Sequence, residues 1–283
     1  MKDNQVYLKV KDHSVSGEEF NLVYDESLDF LTTKPQPSKE DLPGYYQSED
    51  YISHTDAKRN WFEKLYHVIK SIALKRKLKL INGFADQDLT LLDVGCGTGD
   101  FLSIAQKNGW KVNGIEPNPK ARKIANKKTN DSVFNIEHLL QFQPEQFKVI
   151  TLWHVLEHLP QLDDHFEVFN RLLKSDGALV IAVPNFKSYD SNYYKSFWAA
   201  YDVPRHLWHF SKTSIERIAS KHNLKLVQTY PMVFDAYYVS LLSEKYKNGK
   251  LNPFKAFWVG WRSNRSAKRT NEYSSLIYVL QKH

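Results

Sequence analysis

The sequence predicts an α/β protein: a doubly wound, mostly parallel seven-stranded sheet with helices on both faces, an N-terminal extension before it and a helical insertion ahead of the last strand. Two observations predict it. From residue 90 onward, short apolar runs alternate with segments of helical period, the order that right-handed crossovers around a parallel sheet impose. The first run empties into a turn with glycines at 95, 97 and 99, and the second ends on Glu116. That pairing marks a sheet that takes a nucleotide-type ligand at its strand ends.

Residues 1–55 read as the extension, with strand-like pieces at 7–10 and 20–24, a proline loop at 34–38, and tyrosines at 45, 46 and 51. Residues 56–283 read as the main domain. Its first helix covers 56–81, where apolar residues at 61, 62, 65, 68, 69, 72 and 73 have helical spacing. The cations Lys75, Arg76, Lys77 and Lys79 suit the negative end of that helix. Residues 91–94 form the first strand of the sheet, followed by a helix to Asn108 with Gly109 as its stop. The second strand is 111–115, and Asn118-Pro119 then supplies an N-cap and a first helical position. The third strand is 132–135, and the fourth, 147–153, runs into His154-Val155-Leu156-Glu157-His158-Leu159. A helix over 162–173 follows; Gly177 reads as its stop and 178–183 as the fifth strand. After a turn-rich stretch come a helix over 213–222, a sixth strand at 224–229, the insertion over 231–273 and a seventh strand at 275–281. The insertion has helical spacing and an aromatic-basic patch, which suits a lid or a dimer surface, as in a homodimer, ahead of contact with a membrane surface.

Bulk properties exclude several classes. A single cysteine rules out an internal disulfide framework and a cysteine zinc cluster. The formal charge of +7 is spread over many segments and favours no nucleic-acid partner. No apolar run reaches the ~18 residues of a membrane span, and the polar start of the chain does not read as a signal peptide, so a cytoplasmic protein is expected.

The stretch Asp93-Val94-Gly95-Cys96-Gly97-Thr98-Gly99-Asp100 names the ligand class. A dinucleotide fingerprint would carry a third glycine where Asp100 stands, and an acidic helix start suits a cation better than a pyrophosphate. The stretch resembles motif I of the class I S-adenosylmethionine (SAM) dependent methyltransferases, D-x-G-x-G-x-G, with Cys96 in an x position. The string at 154–159 resembles that family's "vLEHl" signature. Asp202-Val203-Pro204-Arg205-His206-Leu207-Trp208-His209-Phe210-Ser211 resembles a stretch of its small-molecule members near the ubiquinone-biosynthesis type. The resemblance implies a Rossmann-like fold with the last strand antiparallel and SAM as cofactor, held by Asp93, Gly95, Cys96, Gly97, Gly99, Glu116, Pro117, Trp153 and His154. Glu116 would take the ribose hydroxyls, and Ile136 to Leu139 would flank the adenine. In those relatives a cysteine pair often sits where this chain has residues 25–28; here a metal-free knuckle is expected. Tyr45, Tyr46 and Tyr51 would cap the pocket.

Methyl transfer needs alignment, exclusion of water and, for a hydroxyl acceptor, removal of a proton, a task suited to histidine. His154, His206 and His209 are the candidate catalytic residues, with Trp198, Asp202 and Arg205 on the acceptor side and no metal ligands assigned. The chain lacks the Asp/Asn-Pro-Pro-aromatic motif of adenine methylation, and its one cysteine lies in the glycine turn. A small-molecule, lipid-like or glycan acceptor is therefore expected. The rival readings are a SAM-fold binding protein without turnover and an NAD-linked oxidoreductase.

Overall fold

The computed structural model describes residues 5–38, 40–46 and 61–283, so Tyr51 and the boundary at 55/56 lie outside the described residues. In chain order the elements are β1 (Val6–Lys11), β2 (Glu19–Asp25), β3 (Phe30–Lys34), α1 (Trp61–Asn82), β4 (Thr90–Val94), α2 (Asp100–Lys107), β5 (Lys111–Ile115), α3 (Pro119–Thr129), β6 (Val133–Phe134), β7 (Phe147–Trp153), α4 (Leu162–Leu172), β8 (Leu173–Pro184), α5 (Tyr189–Tyr194), β9 (Trp208–His209), α6 (Lys212–Lys221), β10 (Leu224–Pro231), α7 (Asp235–Asn248), α8 (Pro253–Thr270) and β11 (Ser275–Lys282).

Seven strands form the main sheet in the order β10-β11-β8-β7-β4-β5-β6. β11 runs antiparallel to both its neighbours, and the pairs among β8, β7, β4, β5 and β6 are parallel. Both faces are covered, as a parallel sheet requires. Leu92, Val94, Ile150, Leu152 and Leu179 look into one core, and Leu91, Val149 and Val180 into the other. The chain leaves β4 toward β5 on one side and returns to β7 on the other. The carboxyl ends of β4 and β7 therefore flank the point where strand order reverses, which is where open α/β sheets bind ligands.

β8 begins at Leu173, five residues ahead of its predicted start at 178. Leu173 already pairs with Phe147, and a shift of register precedes the pair Val149–Ala178. Gly177 sits inside this irregular stretch, where a Cβ would lie 2.9 Å from the Lys148 carbonyl oxygen. It is there for close approach and does not end the preceding helix.

The extension folds into a second, antiparallel sheet, β1-β2-β3-β9. β3 has no counterpart among the predicted strands, and β9 comes from the Pro-Arg-His stretch far along the chain. Leu31 pairs with His209 and Thr32 with Trp208. The turn at 25–28 is held by Asp25, whose Oδ1 accepts the N–H groups of Ser27 and Leu28, while Arg217 donates to the carbonyls of Glu26 and Ser27. Buried Asp29 ties this sheet to the main domain: it accepts from Tyr24 Oη (2.7 Å), Ser211 Oγ (2.8 Å) and Lys187 Nζ (2.6 Å).

Residues 231–273 form two packed helices. Gly260 of α8 lies so close to α7 that a Cβ would meet Tyr237 Cδ1 at 2.7 Å. The pair is clamped to the domain by buried Asp190, which accepts from Trp198 Nε1, Ser263 Oγ and Ser274 Oγ at 2.6–2.8 Å. Among the described residues, no helix is long and apolar enough to cross a membrane.

Asp29→Ala is expected to lower unfolding stability by about 1.5–3 kcal/mol at neutral pH, since hydrogen bonds to a charged acceptor are lost. Burial raises the Asp29 carboxyl pKa, but Lys187, Tyr24 and Ser211 outweigh it and hold it below the ordinary value. Its contribution is present above the unfolded carboxyl pKa and lost as pH falls through the depressed one. Urea titrations should show the gap between wild type and variant closing below about pH 4.

Candidate active site

The glycine turn between β4 and α2 is cradled by the end of β5. Gly95 and Cys96 donate their N–H groups to the Ile115 carbonyl, at 2.7 and 3.0 Å. Glu116 then spans the turn: one carboxylate oxygen accepts Gly97 N–H at 2.9 Å, the other Asn118 N–H at 2.8 Å. Gly95, Gly97 and Gly99 all have positive φ. A Cβ at Gly95 would strike Val155 and one at Gly99 would strike Ala125, whereas one at Gly97 would meet nothing within 4 Å. Gly97 thus opens onto space that a ligand can fill, with Glu116 beside it. Cys96 packs its sulfur toward Gly114, and burial pushes its thiol pKa up, so it is a filler and no nucleophile. Pro117 contributes its carbonyl, which accepts from Arg122.

Asp93 is buried at the end of β4, with Thr151 Oγ1 donating to it at 2.6 Å. Burial pushes its carboxyl pKa up to about 7 against the pull of Thr151 and Lys77. Trp153 ends β7 with its buried indole N–H lacking an acceptor among the described residues. Lys77, from α1, lies over that indole ring with Nζ 4.3 Å from the centroid. Burial lowers the Lys77 pKa, opposed by Asp93 and Asp235. In sequence Lys77 stood in a basic run explained by the helix dipole; only the fold turns this one cation inward. Two carboxylates, an orphaned indole N–H and a glycine cradle that is open at Gly97 fit a cationic nucleoside such as SAM, with Asp93 and Glu116 as its acceptors. Of the predicted adenine flank, His138 stacks on Phe134 at 4.0 Å and Leu139 is buried.

His154 follows β7 in a left-handed conformation, φ 58°. Its Nδ1 lies 3.4 Å from Glu157 Oε1 and its Nε2 lies 3.2 Å from Asp235 Oδ2. Burial alone would lower the His154 pKa, but the two carboxylates raise it to about 10. The two carboxylates thus favour its imidazolium form at neutral pH. Asp235 is the first residue of α7, so the insertion reaches the site through a side chain that nothing in its local sequence singles out.

The other histidines divide by their partners. A carbonyl can only accept, so His206 donates Nδ1–H to Ala200 O at 2.9 Å, and its Nε2 faces Asp202 Oδ2 at 3.8 Å. His158 donates Nδ1–H to Arg205 O at 3.0 Å, with Tyr46 Oη 3.1 Å from the same nitrogen. Burial and the neighbouring His206 push the His158 pKa down to about 4. His209 sits in β9 with Nε2 3.0 Å from Thr33 Oγ1. Thr33 spends its proton on His206 O at 2.6 Å, so His209 is the donor in this pair. Burial keeps His209 neutral. There it ties two strands together.

Two residues predicted for the acceptor side spend their polar groups on the protein itself. Trp198 is buried against Tyr201 in the core beneath the N-terminal sheet, its indole N–H spent on Asp190. Arg205 has its guanidinium on Asp202 and on Tyr45 O, leaving no fork for an anionic ligand. Tyr45 itself donates to Glu18, away from any capping role. Glu157, His158 and His206 have donor atoms within 4.8 Å of one another and are the one such trio among the described residues that could hold a metal ion. In sequence Glu157 and His158 belong to the 154–159 string, and nothing local to it points to His206.

A sequence profile of the family described as "Methyltransferase domain" matches residues 63–229. The ubiquinone biosynthesis O-methyltransferase of Nitrosomonas europaea is 29% identical over 129 residues, 43% of this chain and 54% of that protein. The enzyme of the same name from Coxiella burnetii is 25% identical over 171 residues, 54% of this chain and 68% of that protein. The chain therefore spans about half to two thirds of the relatives it matches, at 54% and 68%. Magnesium protoporphyrin IX methyltransferase from Synechocystis, solved with bound S-adenosylhomocysteine, superposes with a TM-score of 0.57 at 14% identity, covering 87% of this chain and all of that one (100%). Geranyl diphosphate C-methyltransferase from Streptomyces coelicolor gives 0.58 at 16% identity, covering 88% and 99%. These two likenesses show the fold.

Asp235→Asn is expected to move the His154 pKa down from about 10 toward the ordinary histidine range, followed by NMR titration of the imidazole. Because the folded-state value is raised, the stability it contributes is full below the unfolded pKa and is lost as pH rises through about 10. The variant should lack that alkaline loss.

Proposed function

The chain belongs to the methyltransferase-domain family, and from its site geometry we propose that it transfers the methyl group of SAM to an oxygen of a small-molecule or lipid-like acceptor. The observation that carries the cofactor half is Glu116 bridging Gly97 and Asn118 beside a glycine cradle that is open at Gly97. The oxygen acceptor is supported by the names of the curated relatives and by His206, whose ring lies in one polar cluster with Glu157 and His158.

Bound SAM supplies an electrophilic methyl group on a sulfonium. The protein's share is to bind, to exclude water and to place a base. Asp93 and Glu116 supply negative charge for the cationic cofactor, and Trp153 and Lys77 wall the pocket. On the acceptor side, His206 Nε2 takes the hydroxyl proton. Glu157 and Asp202, the latter 3.8 Å from that nitrogen, stabilise the imidazolium that results. The His154 imidazolium offers positive charge to the acceptor oxygen as its proton leaves. His154 is therefore an electrostatic partner, and His206 the base.

Calorimetry separates this from the oxidoreductase reading. SAM and S-adenosylhomocysteine should bind and NAD should not, and Glu116→Ala should weaken SAM by about 1–3 kcal/mol. Equal heats from NAD would sink the cofactor assignment. For the base, methyl-labelled SAM is incubated with the aqueous and lipid fractions of a cell extract. His206→Ala should cut label transfer about 10²–10⁴-fold with SAM affinity nearly unchanged. His209→Ala should lower the melting temperature instead. Full label transfer by His206→Ala would overturn its role as base, and no transfer by wild type would favour a binding protein without turnover.

A further inference from the structure

The helix α8 has two faces of opposite character. Ala256, Val259, Gly260, Ser263 and Ala267 are buried against the rest of the protein. On the opposite side Phe254 is 91% exposed, Phe257 64%, Trp261 46% and Trp258 44%. Their spacing of three and four residues makes one continuous stripe along the helix. Monomeric proteins seldom leave several large aromatic rings on one exposed face unless that face meets something.

Charge narrows the partner. α8 carries Lys255, Arg262, Arg265, Lys268 and Arg269 and no acidic residue. The arginines interleave with the rings: Arg262 lies 4.8 Å from the Trp258 centroid and Arg265 5.5 Å from that of Trp261. A second copy of this chain, seated through the same face, would bring cations against cations with no acids on either helix to meet them. The headgroup layer of a bilayer takes aromatic rings and lysine or arginine at the same depth, with the rings at the acyl boundary and the cations among phosphates.

We propose that the outer face of α8 docks on the headgroup layer of an anionic lipid bilayer. The helix lies in the plane of the surface, with Phe254, Phe257 and Trp261 inserted and its cations on lipid phosphates. The docked protein faces the membrane with the helix pair whose other member, α7, places Asp235 on His154. The docking stands whether or not the methyl-transfer reading holds, because no residue of the stripe belongs to that site.

Co-sedimentation of the full chain with vesicles of phosphatidylcholine alone, or of phosphatidylcholine with phosphatidylglycerol, tests it. Wild type should bind the anionic vesicles, bind the neutral ones weakly, and lose affinity as salt is raised. Combined Phe254→Ser, Phe257→Ser and Trp261→Ser should reduce anionic binding by about tenfold or more. Lys268→Gln with Arg269→Gln should reduce both binding and its salt dependence. All of these side chains are exposed or at the helix end, and an unchanged melting temperature and S-adenosylhomocysteine affinity confirm folding. Absence of wild-type binding to anionic vesicles overturns the proposal. So does a wild-type dimer by light scattering that the triple variant dissolves, or single-stranded RNA binding through the same rings without affinity for lipid.

Discussion

A carboxylate held out of water at the end of β7 is the constraint around which the site is arranged. Glu157 is 1% exposed, and neither of its oxygens has a well-formed hydrogen bond among the described residues. Burial would raise its pKa, but the His154 imidazolium beside it holds it down. An ionised carboxylate in such a place costs several kcal/mol unless paired. The pairing explains otherwise unrelated features: the left-handed backbone of His154, its capture by Asp235 of the inserted helix, and the convergence of two further imidazoles. The backbone of Glu157 takes part too, its carbonyl accepting Leu207 N–H at 2.8 Å. One residue thereby fixes both the charge of the site and the course of the 202–211 segment.

That segment serves two sheets at once. It sends His206 toward the polar cluster, donates Trp208 and His209 to the N-terminal sheet, and through Ser211 caps α6. Such double duty accounts for the density of buried polar residues here. Thr33 Oγ1 donates to the His206 backbone carbonyl and accepts from His209 Nε2, so this one hydroxyl fixes the tautomer of His209. The Asp202–Arg205 pair closes the same turn.

Much of the main domain was legible in the chain because local chemistry and global fold agree there. The strands at 111–115 and 147–153 match the observed β5 and β7 to the residue, since both are apolar and end at an acid or a pocket-facing aromatic. The turn at 95–99 was legible because glycine is the residue that left-handed turns select. The N-terminal sheet was only half visible. β3 contains Thr32 and Thr33, polar residues that read as surface until their partners Trp208 and His206 arrive from far along the chain. The polar cluster was hidden for the same reason. Lys77 and Asp235 have ordinary neighbours, and their roles come from apposition across the fold, which no window of residues contains.

The N-terminal sheet also sets an order of events during synthesis. β1, β2 and β3 can form their hairpins as soon as they leave the ribosome, but Thr33 and its partner His209 are 176 residues apart. Until β9 emerges, the edge of β3 presents unpaired backbone N–H and C=O groups, the template on which strands of other chains add. The nascent protein must therefore keep its first sheet open while the whole main sheet up to β8 is made. A ribosome that stalls between those points leaves a chain with an exposed edge and no strand to close it, the state in which holding by a chaperone matters most.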